Sequence, residues 1–575
     1  LPETLIHLLQ RAQQAPRADG GLRFVDLRER ERFFAWPEVV DRAARSAGTL
    51  LRLGVRPGDR VAIVSPTEIG FMDAFFGALW AGAIPVPLYP PVRLGRLDEY
   101  IARTAAMLAA VQAAVVVVEG RVQKLFGGVM ERHRPTHGLL ALDRLPLGEP
   151  VPAAIIDEED IGLIQFSSGT TAEPKPVALS HRALLANLDR ILDLLPEPSD
   201  PPQAGVSWLP LYHDMGLIGC LFPALARGGP LTLLSPEVFL ARPALWLRAL
   251  SRHRGTATTA PNFAYALCLS RVTDEELVGV DLSSLRVALN GAEPIAARTL
   301  RDFATRFAPY GFDPAAMMPV YGMSEAALAV TFSDRGPGPV VLRASREALL
   351  DGLLRPAHDA EAAQEIVSVG RALRGFAVAV RGPAGDPLPD GQIGGIFVQG
   401  PSLLSRYWNG APSPVREGWL DTGDLGALLD GQLYITGRAK DLLILRGRNH
   451  APQTLELVAD GVQGVRTGCT AAVAIHGEEG EQLVIFVESH EPPPGLAEAV
   501  RKAILADQGL EPDLVVVLEP GTLPRTSSGK MRRGEAARRW MAGSLEPPEE
   551  MGALRLAGKM AQSYLGYWRS RRGAR

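Results

Sequence analysis

Gln165-Phe-Ser-Ser-Gly-Thr-Thr-Ala-Glu-Pro-Lys-Pro-Val177 is the stretch on which the fold and chemistry of this chain turn. Ser167, Ser168, Thr170 and Thr171 surround Gly169, Lys175 follows, and the apolar run from Ile161 to Phe166 reads as a buried strand leading into them. Hydroxyls and backbone N–H groups offer donors to anionic oxygens, glycine lets the chain approach closely, and lysine adds charge, which is how a phosphate cradle is written. It is not the Gly-x4-Gly-Lys-Ser/Thr loop, because the fifth residue after Gly169 is Pro174 and Pro176 follows the lysine. A solvated turn rich in Ser and Thr has the same composition, so the string alone leaves both readings open.

Outward from this stretch, strands and helices alternate. Helical spacing covers Trp36 to Leu53, Phe71 to Ala81 and Leu97 to Val111, with short apolar strands at Arg60–Val64, Ile84–Pro87 and Ala114–Val118. That alternation predicts an α/β fold built on a parallel sheet covered on both faces. The tract Pro85-Val-Pro-Leu-Tyr-Pro-Pro91 is predicted to be an irregular surface segment, since proline cannot donate to a ladder. A helix from His181 to Leu195 is expected to aim its N-terminus at the cradle. His213 and Asp214 follow at the end of an expected strand. Further βα units at Leu231–Leu234, Ala257–Pro261 and Leu285–Leu289 lead to Asn290-Gly-Ala-Glu-Pro294, and Met317–Tyr321 leads to Gly322-Met-Ser-Glu-Ala326 and a helix through Val330. Ligands sit outside the carboxyl ends of strands in such sheets, so these strand ends are expected to converge on one crevice.

Residues from about 334 to 366 read as an inserted, helical segment, and strands near Phe376, Ile393 and Leu433 as a small antiparallel subdomain. A boundary near Lys440 divides a large N-terminal domain, 1–439, from a smaller mobile α+β domain, 440–575, with a basic tail. From Pro524 onward twelve Lys and Arg face four Glu, so this end is near +8 while the whole chain is −4.

At 575 residues the chain is too long for one core. Its 46% hydrophobic and 22% charged residues are ordinary for a soluble protein, and the net charge argues against a general nucleic-acid binder. No run of 18 apolar residues and no basic start with an apolar h-region occurs, so neither a transmembrane segment nor a signal peptide is expected. Cys220, Cys268 and Cys469 stand apart in apolar surroundings, as reduced core residues of a cytoplasmic protein would. The chain opens at Leu1 without methionine, as expected of a piece of a longer protein.

Taken in order, SSGTTAEPK (167–175), WLPLYHDMGL (208–217), NGAEP (290–294), YGMSEA (321–326), DTGDL (421–425), GRAKDLLILRGRN (437–449) and LPRTSSGK (523–530) resemble the adenylate-forming enzymes: acyl-CoA synthetases, luciferases and peptide-synthetase adenylation domains. Within that superfamily the chain looks most like the fatty acyl-AMP ligases, through HDMGL, NGAEP, GRNHAPQ (447–453) and the insertion before Val367. The resemblance implies that a fatty acid and ATP give acyl adenylate and pyrophosphate, with Mg²⁺, and that the acyl group then passes to the phosphopantetheine thiol of an acyl carrier protein or a downstream polyketide or peptide synthase module. In that family the insertion is held to impede the movement that CoA thioester formation needs.

Carried over by motif, Ser167, Ser168, Gly169, Thr170, Thr171 and Lys175 would hold the β and γ phosphates. Gly291, Ala292 and Glu293 would line the adenine site with Tyr321, Gly322 and Met323. Ser324 would meet the α-phosphate, Glu325 would ligand Mg²⁺, Asp424 would accept the ribose hydroxyls, and Arg438 would assist. Lys530, with Glu325 and His213, is assigned to catalysis, and Lys440 to the hinge. Ala172 and Pro176 stand where the family's loop has glycine. The basic end, including Arg532, Arg533, Arg538 and Arg539, is either a carrier docking surface or a solvated helix or linker. Three alternatives share parts of these signals. An acyl-CoA synthetase would use CoA as acceptor. An amino-acid adenylation domain would need an acidic partner for the ammonium, for which Asp214 is available. A serine hydrolase would use Ser324, Asp424 and His450 in that order.

Overall fold

The structure is a computed structural model that describes residues 3–91, 96–167, 174–195, 202–445, 448–477, 480–526 and 530–548. A nine-stranded sheet runs in the order Arg371–Ala372, Ala329–Phe332, Met317–Gly322, Val287–Asn290, Ala257–Ala260, Gly205–Ser207, Pro230–Leu234, Gly21–Val25 and Glu31–Ala35. Its inner strands are parallel and its outermost pairings antiparallel. A second, four-stranded sheet of Ile84–Leu88, Arg60–Val64, Val115–Val118 and Leu139–Ala141 is parallel throughout. Helices Trp36–Arg52 and Ile69–Trp80 lie between the two sheets, and their fully buried Trp36, Phe71, Phe75 and Phe76 share one core with Leu22 and Leu231 of the first sheet and Val61 and Val115 of the second. Burial on both faces explains why Val115–Val118 is valine at every position.

The proline tract departs from expectation: Ile84–Leu88 is a fully buried strand. It is an edge of its sheet and pairs only with Arg60–Val64, and Ile84 N donates to Asp59 O. Pro85 and Pro87 alternate with the donors on that side, so their missing N–H groups fall on the unpaired side, the position where a strand tolerates proline.

Three further expectations are corrected. Ile161–Phe166 pairs antiparallel with Pro176–Ser180, with Ile161 opposite Ser180 and Phe166 opposite Pro176. The helix His181–Leu192 therefore starts at the far end of the hairpin from the cradle, where Ser180 Oγ accepts from Ala183 N. No helix follows Gly322-Met-Ser-Glu-Ala326; one 3-10 turn and the left-handed Ala327 (φ 65°) reverse the chain into the antiparallel strand Ala329–Phe332. The inserted segment is a β-hairpin, Val341–Ser345 with Ala363–Val367, carrying one short helix, Arg346–Leu350, that Gly352 at φ 77° closes.

The antiparallel subdomain is present as Ala377–Arg381, Gly394–Gln399, Trp419–Leu429, Val415–Arg416 and Gln432–Arg438. After one turn at Ala439–Asp441, Thr470–Gly477, Gly480–Glu488 and Leu514–Leu518 form a separate sheet with its own core, including Leu455, Ile485, Val500 and Ile504. This last unit is docked on the rest of the chain by Arg539 with Glu99 (3.1 Å), Arg346 with Asp507 (3.3 Å), and Gln364 Nε2 donating to Thr454 Oγ1 (3.2 Å). Among the described residues no helix is long and apolar enough to cross a membrane.

Candidate functional site

The parallel strands Val287–Asn290 and Met317–Gly322 end side by side, and the turns after them carry Gly291, Ala292 and Glu293 on one side and Met323, Ser324 and Glu325 on the other. Both turns are tight. A Cβ on Gly291 would lie 2.8 Å from Val320 O, and one on Gly322 only 1.8 Å from Leu328 O, whose carbonyl accepts from Met323 N (2.8 Å). Glycine is required at each because backbone occupies the side-chain space. Ala292 sits at φ 68°, which turns the chain so that Glu293 Oε1 accepts from Phe263 N (2.5 Å), in the first turn of the helix Asn262–Arg271. Burial raises the pKa of Glu293, against the pull of that N–H and of Lys530.

Asp424 lies opposite Arg438 in an antiparallel ladder. Arg438 Nε donates to its Oδ1 (2.7 Å) and Tyr321 Oη to its Oδ2 (2.6 Å). Burial and the Asp424 charge push the Tyr321 phenol well above its ordinary pKa, so it remains a donor. The buried Tyr321 ring is thereby fixed by its tip.

His213 and Asp214 do not end a strand; the strand Gly205–Ser207 stops earlier, and His213 caps the short helix Asp214–Gly216. Asp214 is buried, with His213 Nδ1 2.7 Å from Oδ1, Met215 N donating to the same oxygen (2.8 Å) and Ser324 Oγ donating to Oδ2 (2.6 Å). Burial alone would raise its pKa, yet His213, Ser324 and Lys530 together hold it well below the usual carboxylate range. Both oxygens of Asp214 are thus already engaged by groups of this chain. The serine-hydrolase alternative is corrected: Ser324 donates to a carboxylate rather than to a histidine, and Asp424 is held by Tyr321 and Arg438.

Glu325 accepts from Tyr407 Oη at Oε1 (3.0 Å), and burial raises its pKa against that hydrogen bond. Lys175 Nζ stands 4.7 Å from the centroid of the same tyrosine ring. Ser167 closes the base of the cradle, its N–H donating to Lys175 O (2.9 Å) and its Oγ accepting from Lys175 N (3.3 Å). Ser168, Gly169, Thr170, Thr171 and Ala172 lie outside the described residues. Pro176 opens the return strand and its carbonyl accepts from Trp408 N (2.8 Å).

Lys530 comes from the last unit. Its N–H donates to Thr526 Oγ1 (3.0 Å), its carbonyl accepts from Thr526 N (2.8 Å), and it lines the crevice. Burial and the charge of Arg438 lower its pKa, while Asp214, Asp424 and Glu293 oppose that shift. Lys530, Glu293, Ala292 and His213 line a cavity of about 310 Å³, walled also by Trp208, Phe263 and Tyr100. Lys440 is exposed on the turn Ala439–Asp441 and stands apart from this cluster.

In the described part of the basic end, several of the arginines are already paired within the last unit. Arg533 is mostly enclosed, its side chain 14% exposed, donating to both oxygens of Glu456 (2.6 Å each) and to Asp441 (3.1 Å). Arg538 and Arg539 pair with Glu535. Sequence reasoning passed over Tyr407, which lies 82 residues from Glu325, and the tie between Ser324 and Asp214; no local pattern marks either.

The donor set suits magnesium bound together with a phosphorylated ligand. Among the described residues no group of three His, Cys, Asp or Glu could hold a metal alone. A half-buried carboxylate such as Glu325, with one oxygen engaged by a hydroxyl, is the kind of single protein ligand that Mg²⁺ takes beside phosphate oxygens.

Residues 12–408 match the family model described as AMP-binding enzyme. The chain is 33% identical to the medium-chain-fatty-acid–acyl-carrier-protein ligase JamA of Moorena producens, over 94% of this chain and 96% of that protein. It is 35% identical to the long-chain-fatty-acid–AMP ligase FadD26 of Mycobacterium marinum, over 88% and 91%. A solved structure from a study of fatty acyl-adenylate ligases of E. coli and L. pneumophila superposes with a TM-score of 0.87 at 35% identity, covering 94% of this chain and 98% of that one.

Proposed function

As a member of the AMP-binding enzymes and, within them, of the fatty acyl-AMP ligases, this chain joins a carboxylate to AMP at the expense of ATP, and we propose that it activates a fatty acid and hands the acyl group to the phosphopantetheine thiol of an acyl carrier protein or a downstream polyketide or peptide synthase module. The observation that carries this reading is the position of Lys530, which comes from the last unit and lines one cavity with Glu293, Ala292 and His213 of the first, so that its ammonium stands among the acidic groups Asp214, Glu293 and Asp424. In-line displacement at the α-phosphorus accumulates negative charge on oxygen, and catalysis of it is mostly positioning and electrostatics.

We assign Lys530 to the carboxylate and α-phosphate oxygens, where it stabilises the charge that grows between them. Asp424 accepts the ribose hydroxyls, Tyr321 covers the base beside Gly291, Ala292, Gly322 and Met323, and Ser324 faces the α-phosphate. Arg438 fixes Asp424. Lys175 and the 167–171 segment take the β and γ phosphates. His213, locked on Asp214, orients the incoming acid. Glu325 would hold Mg²⁺, which supplies charge neutralisation to the leaving pyrophosphate.

The chain divides at 439/440, with Lys440 on the exposed turn where backbone rotation would swing the last unit. Gln364 to Thr454 and Arg346 to Asp507 tie the inserted hairpin to that unit, which favours a carrier thiol over CoA as acceptor. Three free thiols, two of them buried, suit a reducing cytoplasm.

Mass spectrometry after incubation with ATP, Mg²⁺ and a panel of fatty acids, with CoA and holo carrier protein offered separately, tests the assignment. Acyl adenylate and acylated carrier protein are expected. Predominant acyl-CoA would make the chain an acyl-CoA synthetase, and absence of any adenylate would overturn the activity.

A further inference from the structure

We propose that Tyr407 is a positioning residue of the adenylation site, a spacer whose hydroxyl holds the Glu325 carboxylate and whose ring face holds the Lys175 ammonium, so that the two remain apart for metal and phosphate. The proposal rests on the roles assigned above to those two residues.

Tyr407 is buried and its backbone is fixed from both sides. The two-residue strand Arg406–Tyr407 pairs antiparallel with the strand that follows Lys175, placing Tyr407 opposite Val177, and Ser405 N and Trp408 N donate to Ala178 O and Pro176 O. A few residues earlier the same segment grips the turn that carries Glu325. Leu404 N donates to Glu325 O (2.8 Å) and Ser402 Oγ to Ala326 O (2.8 Å). Asn187 Nδ2, from a different helix, donates to Ala326 O and Ser402 Oγ and closes the strap. The segment 402–408 thus ties the cradle hairpin to the Glu325 turn, and Tyr407 is the side chain that reaches both functional groups: Oη to Glu325 Oε1 at 3.0 Å, ring centroid to Lys175 Nζ at 4.7 Å.

The chemistry explains why an aromatic hydroxyl suits this place. A half-buried carboxylate and an exposed ammonium brought into direct contact would pair, and each ligand would then have to compete with that pair. No ion pair joins Lys175 and Glu325 here; the tyrosine stands between them. Its hydroxyl engages one carboxylate oxygen without neutralising the charge, and its π face attracts the ammonium without a hydrogen bond that phosphate would have to displace.

Tyr407→Phe keeps the ring and removes only the oxygen, whereas Tyr407→Leu removes both contacts. Binding of Mn²⁺ in the presence of α,β-methylene-ATP, followed by electron paramagnetic resonance, reads the metal site without turnover. Tyr407→Phe is expected to raise the metal concentration for half-saturation about tenfold, as loss of a carboxylate's supporting partner does. The Mg²⁺ requirement of ATP–pyrophosphate exchange should shift in parallel and the KM for fatty acid should stay unchanged. Tyr407→Leu should in addition raise the KM for pyrophosphate in the reverse direction. Wild-type Mn²⁺ binding by a folded Tyr407→Phe protein would overturn the proposal, as would an equal loss for acid, nucleotide and metal. Should Tyr407→Leu fail to fold, the one-oxygen variant decides alone. A wild-type protein that binds Mn²⁺ and nucleotide but forms no adenylate would instead count against the activity, while the comparison of Mn²⁺ binding would still read the spacer.

Discussion

Tyr321 Oη donates to Asp424 Oδ2 at 2.6 Å across 103 residues of sequence, while Arg438 Nε holds the other oxygen at 2.7 Å. The ring assigned to the base and the carboxylate assigned to the ribose are therefore one unit. A carboxylate has about four acceptor positions, so two engaged donors leave room for two ribose hydroxyls. Tyr321→Phe removes one charge-assisted hydrogen bond, worth roughly 1.5–3 kcal/mol, and should raise the KM for ATP at least tenfold in pyrophosphate exchange. Asp424→Ala also strands Arg438 and should cost more. An unchanged KM for ATP in both, or an equal rise in the KM for the acid, would count against the pairing as a nucleotide grip.

Lys530→Ala should leave the protein folded and nucleotide bound, yet slow adenylate formation by about 10²–10³-fold, the range for loss of an oxyanion donor in a site of this kind. Calorimetry with α,β-methylene-ATP and exchange kinetics separate the two effects. Near wild-type exchange would remove Lys530 from the chemistry.

The pKa of Lys530 is lowered by burial and by the charge of Arg438. Since the ammonium is the active form, the rate should fall on the alkaline side sooner than it would for an ordinary lysine. Arg438→Gln removes one depressing charge, so the pKa rises and the alkaline limb moves to higher pH even though the maximal rate drops. A limb that stays in place while the rate falls would show that another group titrates.

Much of this architecture is legible in the sequence where one physical rule dominates. Val115–Val118 reads as a covered parallel strand because nothing polar interrupts it, and NGAEP and YGMSEA mark the site because each is a strand end closed by a tight turn. Pro85 and Pro87 mislead because the cost of a proline depends on which side of a strand is paired, a property of the sheet. His181 misleads because an antiparallel hairpin, set by tertiary pairing, reverses which end of the helix meets the cradle. Tyr407 is invisible since its function lies in the distance between residues from two other segments.

Arg533 illustrates a related limit, for a run of basic residues says nothing of which are already paired. Its guanidinium is enclosed between Glu456 and Asp441. Removing one partner of such a group leaves uncompensated charge, at a cost of about 3–5 kcal/mol. Arg533→Ala should therefore lower the stability of the last unit sharply, as followed by chemical denaturation, and Arg538→Ala, at an exposed i, i+3 pair, should change it little. Equal, small effects would return Arg533 to the surface.

Asp460 gives the last unit a dependence on pH. It ends the helix Pro452–Asp460, where the helix dipole disfavours negative charge, and its oxygens accept from Thr470 Oγ1 (2.6 Å) and Gly468 N (2.9 Å). Burial, reinforced by the charge of Glu456, outweighs those donors and pushes its pKa up to about 7. In the unfolded chain an aspartate titrates near 3.9. Between these values the folded state holds a proton that the unfolded state has lost, so stability declines as pH rises from about 4 to 7 and then levels off. Asp460→Asn cannot ionise, and its side chain can still engage Thr470 and Gly468. The variant should lose that decline and gain roughly 1–3 kcal/mol over the wild type at pH 8, with little difference at pH 4. Denaturation of the full chain at the two pH values measures this directly, and a decline that persists in Asp460→Asn would assign it to another group.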